Sequence, residues 1–357
     1  MVISSLDSLI ERVLAEDARK QDLLADTRRM SVAVEEGEVE NHVLLSIDGE
    51  NGSGTETLGA SAHALGQMAT DLGIPKRYFD RMKVEAPELF QRNVHHWMYE
   101  TPNRRMIRAY RNEDAPGTAR AWLSDRYRRL DNIEIATKLL PEFDRLSEEV
   151  VFHNASITDE RFYLRAVFPR LTEEVKVGDA VQWGVQISNS EVGAATFSID
   201  SFVLRLACIN GMVVAKVMSA RHIGKRLGEH LSDEAIQADD RAFWLAARDE
   251  LRNAISVAQF EKVVATLRET TEGVAITAPI AATERLARTY ELSDGEKEAV
   301  LTKLAGNGDF TRWGALNAIT AAAQTVESFD RRVEMEEMGW DLATLSNREW
   351  ERIAVAA

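Results

Sequence analysis

The sequence predicts an α+β fold, with mixed or antiparallel strands in roughly the first 210 residues and a helical C-terminal third. Apolar side chains alternate with period two through Phe162, Leu164, Ala166 and Phe168, and again through Val181, Trp183, Val185 and Ile187. After Asn210-Gly211 the apolar positions recur at helical spacing instead. A chain of 357 residues, 45% apolar and with seven Trp, is also long enough for a sizeable core.

The elements follow in order. Leu6, Leu9, Ile10, Val13 and Leu14 predict a short amphipathic opening helix. Met30, Val32 and Val34 alternate with small residues, and a second run, 41–47, pairs with them before the turn-rich stretch 48–54. Ser61 caps a helix carrying Leu65, Met68, Ala69 and Leu72 on one face, and Gly73 ends it. The turn 112–117 joins two extended segments, 104–111 and 118–123. A helix starts near Asn132, with Ile133, Ala136, Leu139, Leu140 and Phe143 on its inner face. Phe202, Leu204, Leu206 and Cys208 fall out of phase with Phe197 and Ile199, which predicts a bulge near Ser201 or a switch into helix there. Ser232-Asp233-Glu234 opens a helical stretch to about Thr270, too long for one average helix, and shorter helices follow near 281–290, 293–304, 312–328 and 346–355. Three regions result within one continuous unit: an acidic helix and hairpin over 1–75, a basic and aromatic stretch with the sheet core over 76–228, and helices over 229–357.

Charge is spread unevenly. The net charge is −15, yet residues 76–130 hold 13 Lys/Arg against 7 Asp/Glu and 8 of the 25 aromatics. Residues 1–75 hold 14 acidic and 5 basic side chains. The acidic balance argues against indiscriminate polyanion binding but leaves room for a local groove, since each charge reaches only about 8 Å at physiological salt. One cysteine permits no internal disulfide, the first residues lack a cationic signal head, and no stretch approaches the ~20 apolar residues that span a bilayer. The expectation is a cytoplasmic protein without a membrane segment.

Motifs for familiar chemistry are missing. There is no phosphate-binding loop, no dinucleotide fingerprint and no Gly-x-Ser-x-Gly elbow. His95-His96 cannot both face one metal on a regular element, and His222 and His230 have no partner at a ligand offset, so no metal or cofactor is expected. Cys208 sits in an apolar run and reads as a buried, inert thiol. Glu174-Val175-Lys176 has the form of the tail of a nuclease triplet, with Asp159 as the near upstream Asp, but triplets this short arise often by chance and the stretch reads far more readily as a charged hairpin turn.

The basic stretch is the stronger lead. Lys76 and Arg77 fall on a short helix with Tyr78 and Arg81; Arg104, Arg105, Arg108, Tyr110 and Arg111 fall on an extended segment where 104, 108 and 110 share a face. Trp122, Arg126, Tyr127, Arg128 and Arg129 follow, and Arg221, Lys225 and Arg226 form a smaller set with His222. Guanidinium groups chelate phosphates and aromatic faces stack on unpaired bases, which is how single-stranded nucleic acid is held without sequence reading. The same cations serve equally well as partners of the chain's own acids or of a neighbouring subunit.

Five stretches, 72–79, 123–127, 185–191, 207–210 and 311–317, together resemble a bacterial family of phage- or plasmid-like proteins of unknown function. The resemblance implies a phage or plasmid setting and no catalytic residues. A strand-rich core followed by a helix, beside a basic groove, is also similar at the level of fold to single-strand annealing proteins of the Rad-fifty-two type. That likeness implies a homo-oligomer with single-stranded DNA as partner. Arg105→Glu or Arg128→Glu would then weaken binding whatever the sequence. The alternative is a protein-interaction or assembly module whose basic stretch docks on an acidic partner or subunit. A metal-dependent nuclease using Glu174 and Lys176 ranks last.

Overall fold

The computed structural model describes residues 2–3, 6–35, 37, 41–49, 54–112, 116–146, 148–208, 210–220 and 233–355. The first part of the chain forms two six-stranded sheets. One combines β2 (Lys20–Asp26), β3 (Met30–Glu35), β4 (His42–Asp48), β5 (Thr55–Ala60), β6 (Arg104–Tyr110) and β7 (Gly117–Ser124), in the order β2-β6-β7-β5-β4-β3. Only β5 and β7 run parallel. The other combines β1 (Val2–Ile3), β8 (Val151–Ile157), β9 (Phe162–Lys176), β10 (Asp179–Asn189), β11 (Phe197–Arg205) and β12 (Asn210–Ala220) as an antiparallel meander in chain order.

Helices cover each sheet. On the first sheet α2 (Ala62–Asp71), α3 (Lys76–Glu85) and α4 (Pro87–Glu100) bury Met68, Phe79, Phe90, Val94 and Met98 against Val32, Leu45, Leu58 and Ile107. Ser61 caps α2 by accepting from the Ala64 amide at 3.1 Å, and Gly73 leaves it at φ +66°, a conformation that costs other residues about 1 kcal/mol or more. On the second sheet lie α1 (Leu6–Arg19), the run α5 (Asn132–Glu134), a π-helical turn (Ile135–Leu139) and α6 (Leu140–Phe143), and seven C-terminal helices. These are α7 (Asp233–Asn253), α8 (Val257–Glu269), α9 (Pro279–Thr289), α10 (Asp294–Asn307), α11 (Arg312–Ala323), α12 (Phe329–Thr344) and α13 (Asn347–Ala354). Trp183, Trp313 and Trp350 are fully buried there, and each indole donates to an internal acceptor.

Several expectations need correction. The strand region runs to Ala220, not 210, because Gly211 pairs with Leu204 across the β11–β12 hairpin. A Cβ there would lie 2.3 Å from the Phe202 ring, so the glycine makes room for an aromatic rather than ending a strand. Residues 200–205 are strand, and their change of phase reflects burial on both faces. Ile199 and Val203 join the main core, whereas Phe202 and Leu204 pack with Phe329 and Val333. The bulges are in the β11–β12 pairing, at Ile199/Asp200 and Ser201/Phe202. The β10 strand is likewise buried on both faces, Gln186 included. Cys208 is exposed, because 206–208 form the turn after β11. Near 132, the π-helical turn shifts the inner face to Ile135, Leu139, Leu140 and Phe143. Elements β1, β2, β5, β12, α4 and α12 have no counterpart among the sequence-based expectations.

Candidate nucleic-acid interface

The β6–β7 hairpin organises the basic stretch. Alternation puts Met106, Arg108 and Tyr110 on one face with Arg104, and Ile107 and Ala109 on the other with Arg105. A bulge opposite Arg108/Ala109 makes Arg120 the extra residue on β7. Arg120 consequently lies over the Tyr110 ring at 4.0 Å and pairs with Glu191 at 3.1 Å.

That first face looks inward, onto the turn after β10. Arg108 is 2% exposed; it pairs with Asp22 at 2.9 Å and Asp131 at 2.7 Å, and donates from Nη1 to the Glu191 carbonyl at 3.0 Å. The Glu191 carboxylate, itself buried, takes Lys20, Arg120 and the Asn132 amide, the last at 2.8 Å. Tyr127 donates its hydroxyl to the Ser190 carbonyl at 3.0 Å, and His63 and Gln67 both reach the Val192 carbonyl. Burial alone would raise the Glu191 pKa, but Lys20, Arg108 and Arg120 outweigh it and hold the group below its ordinary value. Asp131 moves the other way, because burial and the Glu191 charge exceed the attraction of Arg108 and Lys20. Burial also raises the hydroxyl pKa of Tyr110 and Tyr127, keeping both neutral. This cluster is a seam joining the two sheets.

Other members of the basic stretch are also engaged within the chain. Arg105 pairs with Asp71, which also accepts from the Trp122 indole at 2.9 Å; Trp122 is 4% exposed. Arg129 pairs with Asp22 at 2.9 Å, and Arg128 pairs with Asp239 and Asp240 while lying over the Phe243 ring. Arg111 donates to the Gln21 side chain at 2.8 Å, and Lys76 pairs with Asp80. Arg77, Arg104 and Arg126 are exposed and have no ion-pair partner among the described residues. Arg221, Lys225 and Arg226 lie outside the described residues.

A different surface offers what the seam does not. On α4, Leu89, Arg92, His96 and Tyr99 follow one outer stripe at i, i+3, i+7 and i+10, opposite buried Phe90, Val94 and Met98. Tyr99 is 57% exposed, and Trp97, 40% exposed, meets His96 edge-on with ring centroids 5.0 Å apart. Tyr78 and Val84 are exposed on neighbouring α3. Arg104 stands at the start of β6, a short turn beyond Tyr99. The helical period of 89, 92, 96 and 99 was the signal for this face in the sequence.

The nuclease triplet is not assembled. Lys176 pairs with Asp309 at 2.6 Å and Glu174 accepts from the Gly178 amide in the β9–β10 hairpin, whereas Asp159 precedes the opposite end of the 15-residue strand β9. No group of three His, Cys, Asp or Glu among the described residues is placed to hold a metal ion, and no described helix is long and apolar enough to cross a membrane.

Residues 119–346, well over half of the chain, match the family model described as Domain of unknown function (DUF932). No curated protein and no solved structure matches the chain. The matched span contains Tyr127, Asp131 and Glu191 of the seam, whereas α3 and α4 precede it.

Proposed function

The chain belongs to the DUF932 family, and we propose that it is an oligomeric, non-enzymatic protein of phage or plasmid descent that binds single-stranded DNA. Its contact surface in this reading is the outer face of α3 and α4 with the start of β6. Tyr78, Trp97 and Tyr99 supply stacking planes, and Arg77, Arg92 and Arg104 neutralise phosphates. The observation that carries the reading is the exposure of Trp97 and Tyr99, where Trp122 and Tyr127 are buried. The seam arginines act here as scaffold. An annealing role, in the manner of Rad-fifty-two-type proteins, rests on the sequence resemblance alone.

Fluorescence anisotropy of a labelled single-stranded oligonucleotide, at about 50 and 200 mM salt with duplex competitor, tests this reading. The expected result is salt-sensitive binding that duplex does not displace and that Arg77→Glu and Arg104→Glu each weaken. Absence of binding at low salt overturns it.

A protein-docking role for the same face is the second reading. It is favoured by five exposed apolar side chains there, Tyr78, Val84, Leu89, Trp97 and Tyr99. In that case Trp97→Ala changes oligomer mass and leaves oligonucleotide affinity untouched.

A further inference from the structure

A second site stands on other residues, where α7 crosses the π-helical turn. In that turn the Leu140 amide donates five residues back to the Ile135 carbonyl, widening the helix, and Pro141 follows at once. Single π-helical turns inside helices recur at functional sites. The widened turn and α7 flank an open cavity of about 560 Å³, lined by Lys138, Arg145, Arg241, Trp244, Leu245 and Arg248 among others. Ligand pockets span about 300–1,000 Å³, so this one admits a ligand of nucleotide size.

The charges around it do not cancel. Lys138 pairs with Glu134 at 2.6 Å, and Glu134 also takes the Trp244 indole at 3.0 Å. Asp240 is held by Arg128 at 2.9 Å. A single buried carboxylate, Glu142, is approached by Arg145 at 2.6 Å, Arg252 at 2.5 Å and Arg248 at 3.1 Å. Arg252 has Asp249 as a second partner at 3.5 Å. Counting Glu134, Asp239, Asp240, Glu142 and Asp249 against Arg128, Lys138, Arg145, Arg241, Arg248 and Arg252 leaves one positive charge in excess. Arg248 reaches Glu142 through its Nε and shares that carboxylate with Arg145 and Arg252, and Arg241 is exposed with no ion-pair partner among the described residues. These two arginines are seven residues apart on α7, with Trp244 and Leu245 between them, so all four share the face that lines the cavity.

We propose that this cavity binds an organic phosphate, a nucleoside monophosphate in size, through Arg241 and Arg248. A phosphate monoester brings about −1.5 to −2 charges at neutral pH, which suits Arg241 together with Arg248, one of three arginines that share the single Glu142 carboxylate. The apolar walls at Leu245 and Pro141 then receive the remainder of the ligand.

Isothermal titration of the full chain with uridine 5′-monophosphate, inorganic phosphate and uridine, up to about 10 mM, tests the site. The monophosphate is expected to bind, inorganic phosphate to compete with it more weakly, and uridine to give no heat. Arg241→Gln and Arg248→Gln should each lower monophosphate affinity by roughly tenfold, the loss of one charge-assisted contact. Arg241 is exposed and makes no ion pair among the described residues, so its variant keeps the native melting temperature and separates lost binding from lost folding. Preference for a 5′-phosphorylated dinucleotide over the monophosphate assigns the phosphate to a chain end; the reverse preference assigns it to a free nucleotide. No heat from either phosphate, uridine binding as tightly as its monophosphate, or unchanged affinity in both variants overturns the proposal. A Trp97→Ala/Tyr99→Ala protein should bind the monophosphate normally, so this site and the α3–α4 face fail or stand separately.

Discussion

Arg108 donates from Nη1 to the main-chain carbonyl of Glu191 at 3.0 Å, and so ties β6 of one sheet to the turn after β10 of the other. The most buried arginine of the basic stretch is thereby part of the protein's frame. Its guanidinium also meets Asp22 and Asp131, so removing it takes the ion-pair partner from Asp131 and the donor from the carbonyl, and leaves Asp22 with Arg129. Arg108→Met should cost about 3–5 kcal/mol, as breaking one side of a buried ion pair does. Urea denaturation reads this directly, and a loss below about 1 kcal/mol would mean that the seam does not join the sheets.

A second buried pair behaves differently when both halves are replaced. Arg165 on β9 and Glu336 on α12 are 2% and 0% exposed, and Arg165 also donates to Gln186 at 2.8 Å. Arg165→Met alone should destabilise by about 3–5 kcal/mol, whereas Arg165→Met/Glu336→Leu should recover most of that loss. Denaturation midpoints of the two singles and the double check the recovery. An additive double mutant would contradict it.

Acid should loosen the contact between α10 and α12. Hydrogen bonding to Arg331 pulls the Glu296 pKa down to about 2, from an ordinary 4.5. A depressed carboxyl contributes stability that is fully present above the unfolded value and is lost as pH falls from about 4.5 towards 2. Glu296→Gln should therefore flatten the fall in stability across that window and leave the slope above pH 6 unchanged, as followed by urea midpoints. Solvent screening keeps the effect modest, since the pair is only partly buried.

Gly184 on β10 leaves no room for a side chain against β9. A Cβ at this position would lie 2.4 Å from the Ala166 carbonyl oxygen and 3.2 Å from the Phe202 ring. Gly184→Ala should cost about 1–3 kcal/mol by overpacking. A melting temperature equal to the parent's would show that β9 can move aside.

Local signals were legible where a single principle governs. Ser61 and Gly73 bracket α2 as their capping chemistry requires, and the alternation at 181–187 marks β10. The α+β class followed from those periodicities. Strand β12 was missed because Asn210-Gly211 has the composition of a turn, and only the facing Phe202 ring explains the glycine. The burial of Arg108, Trp122 and Tyr127 was also hidden. Their partners Asp22, Asp71 and Ser190 are 51 to 86 residues away, and composition cannot reveal such pairings. The outer stripe of α4 was within reach, since Arg92, His96 and Tyr99 already stood at helical spacing.

The most direct measurement is the affinity of a labelled single-stranded oligonucleotide for the Trp97→Ala/Tyr99→Ala protein against the parent, by anisotropy at low salt. The expected result is a loss of about 1–3 kcal/mol of binding for each stacking plane removed, with the variant still folded at the assay temperature. Equal affinity in the two proteins, with both folded, would contradict a nucleic-acid interface on α3 and α4.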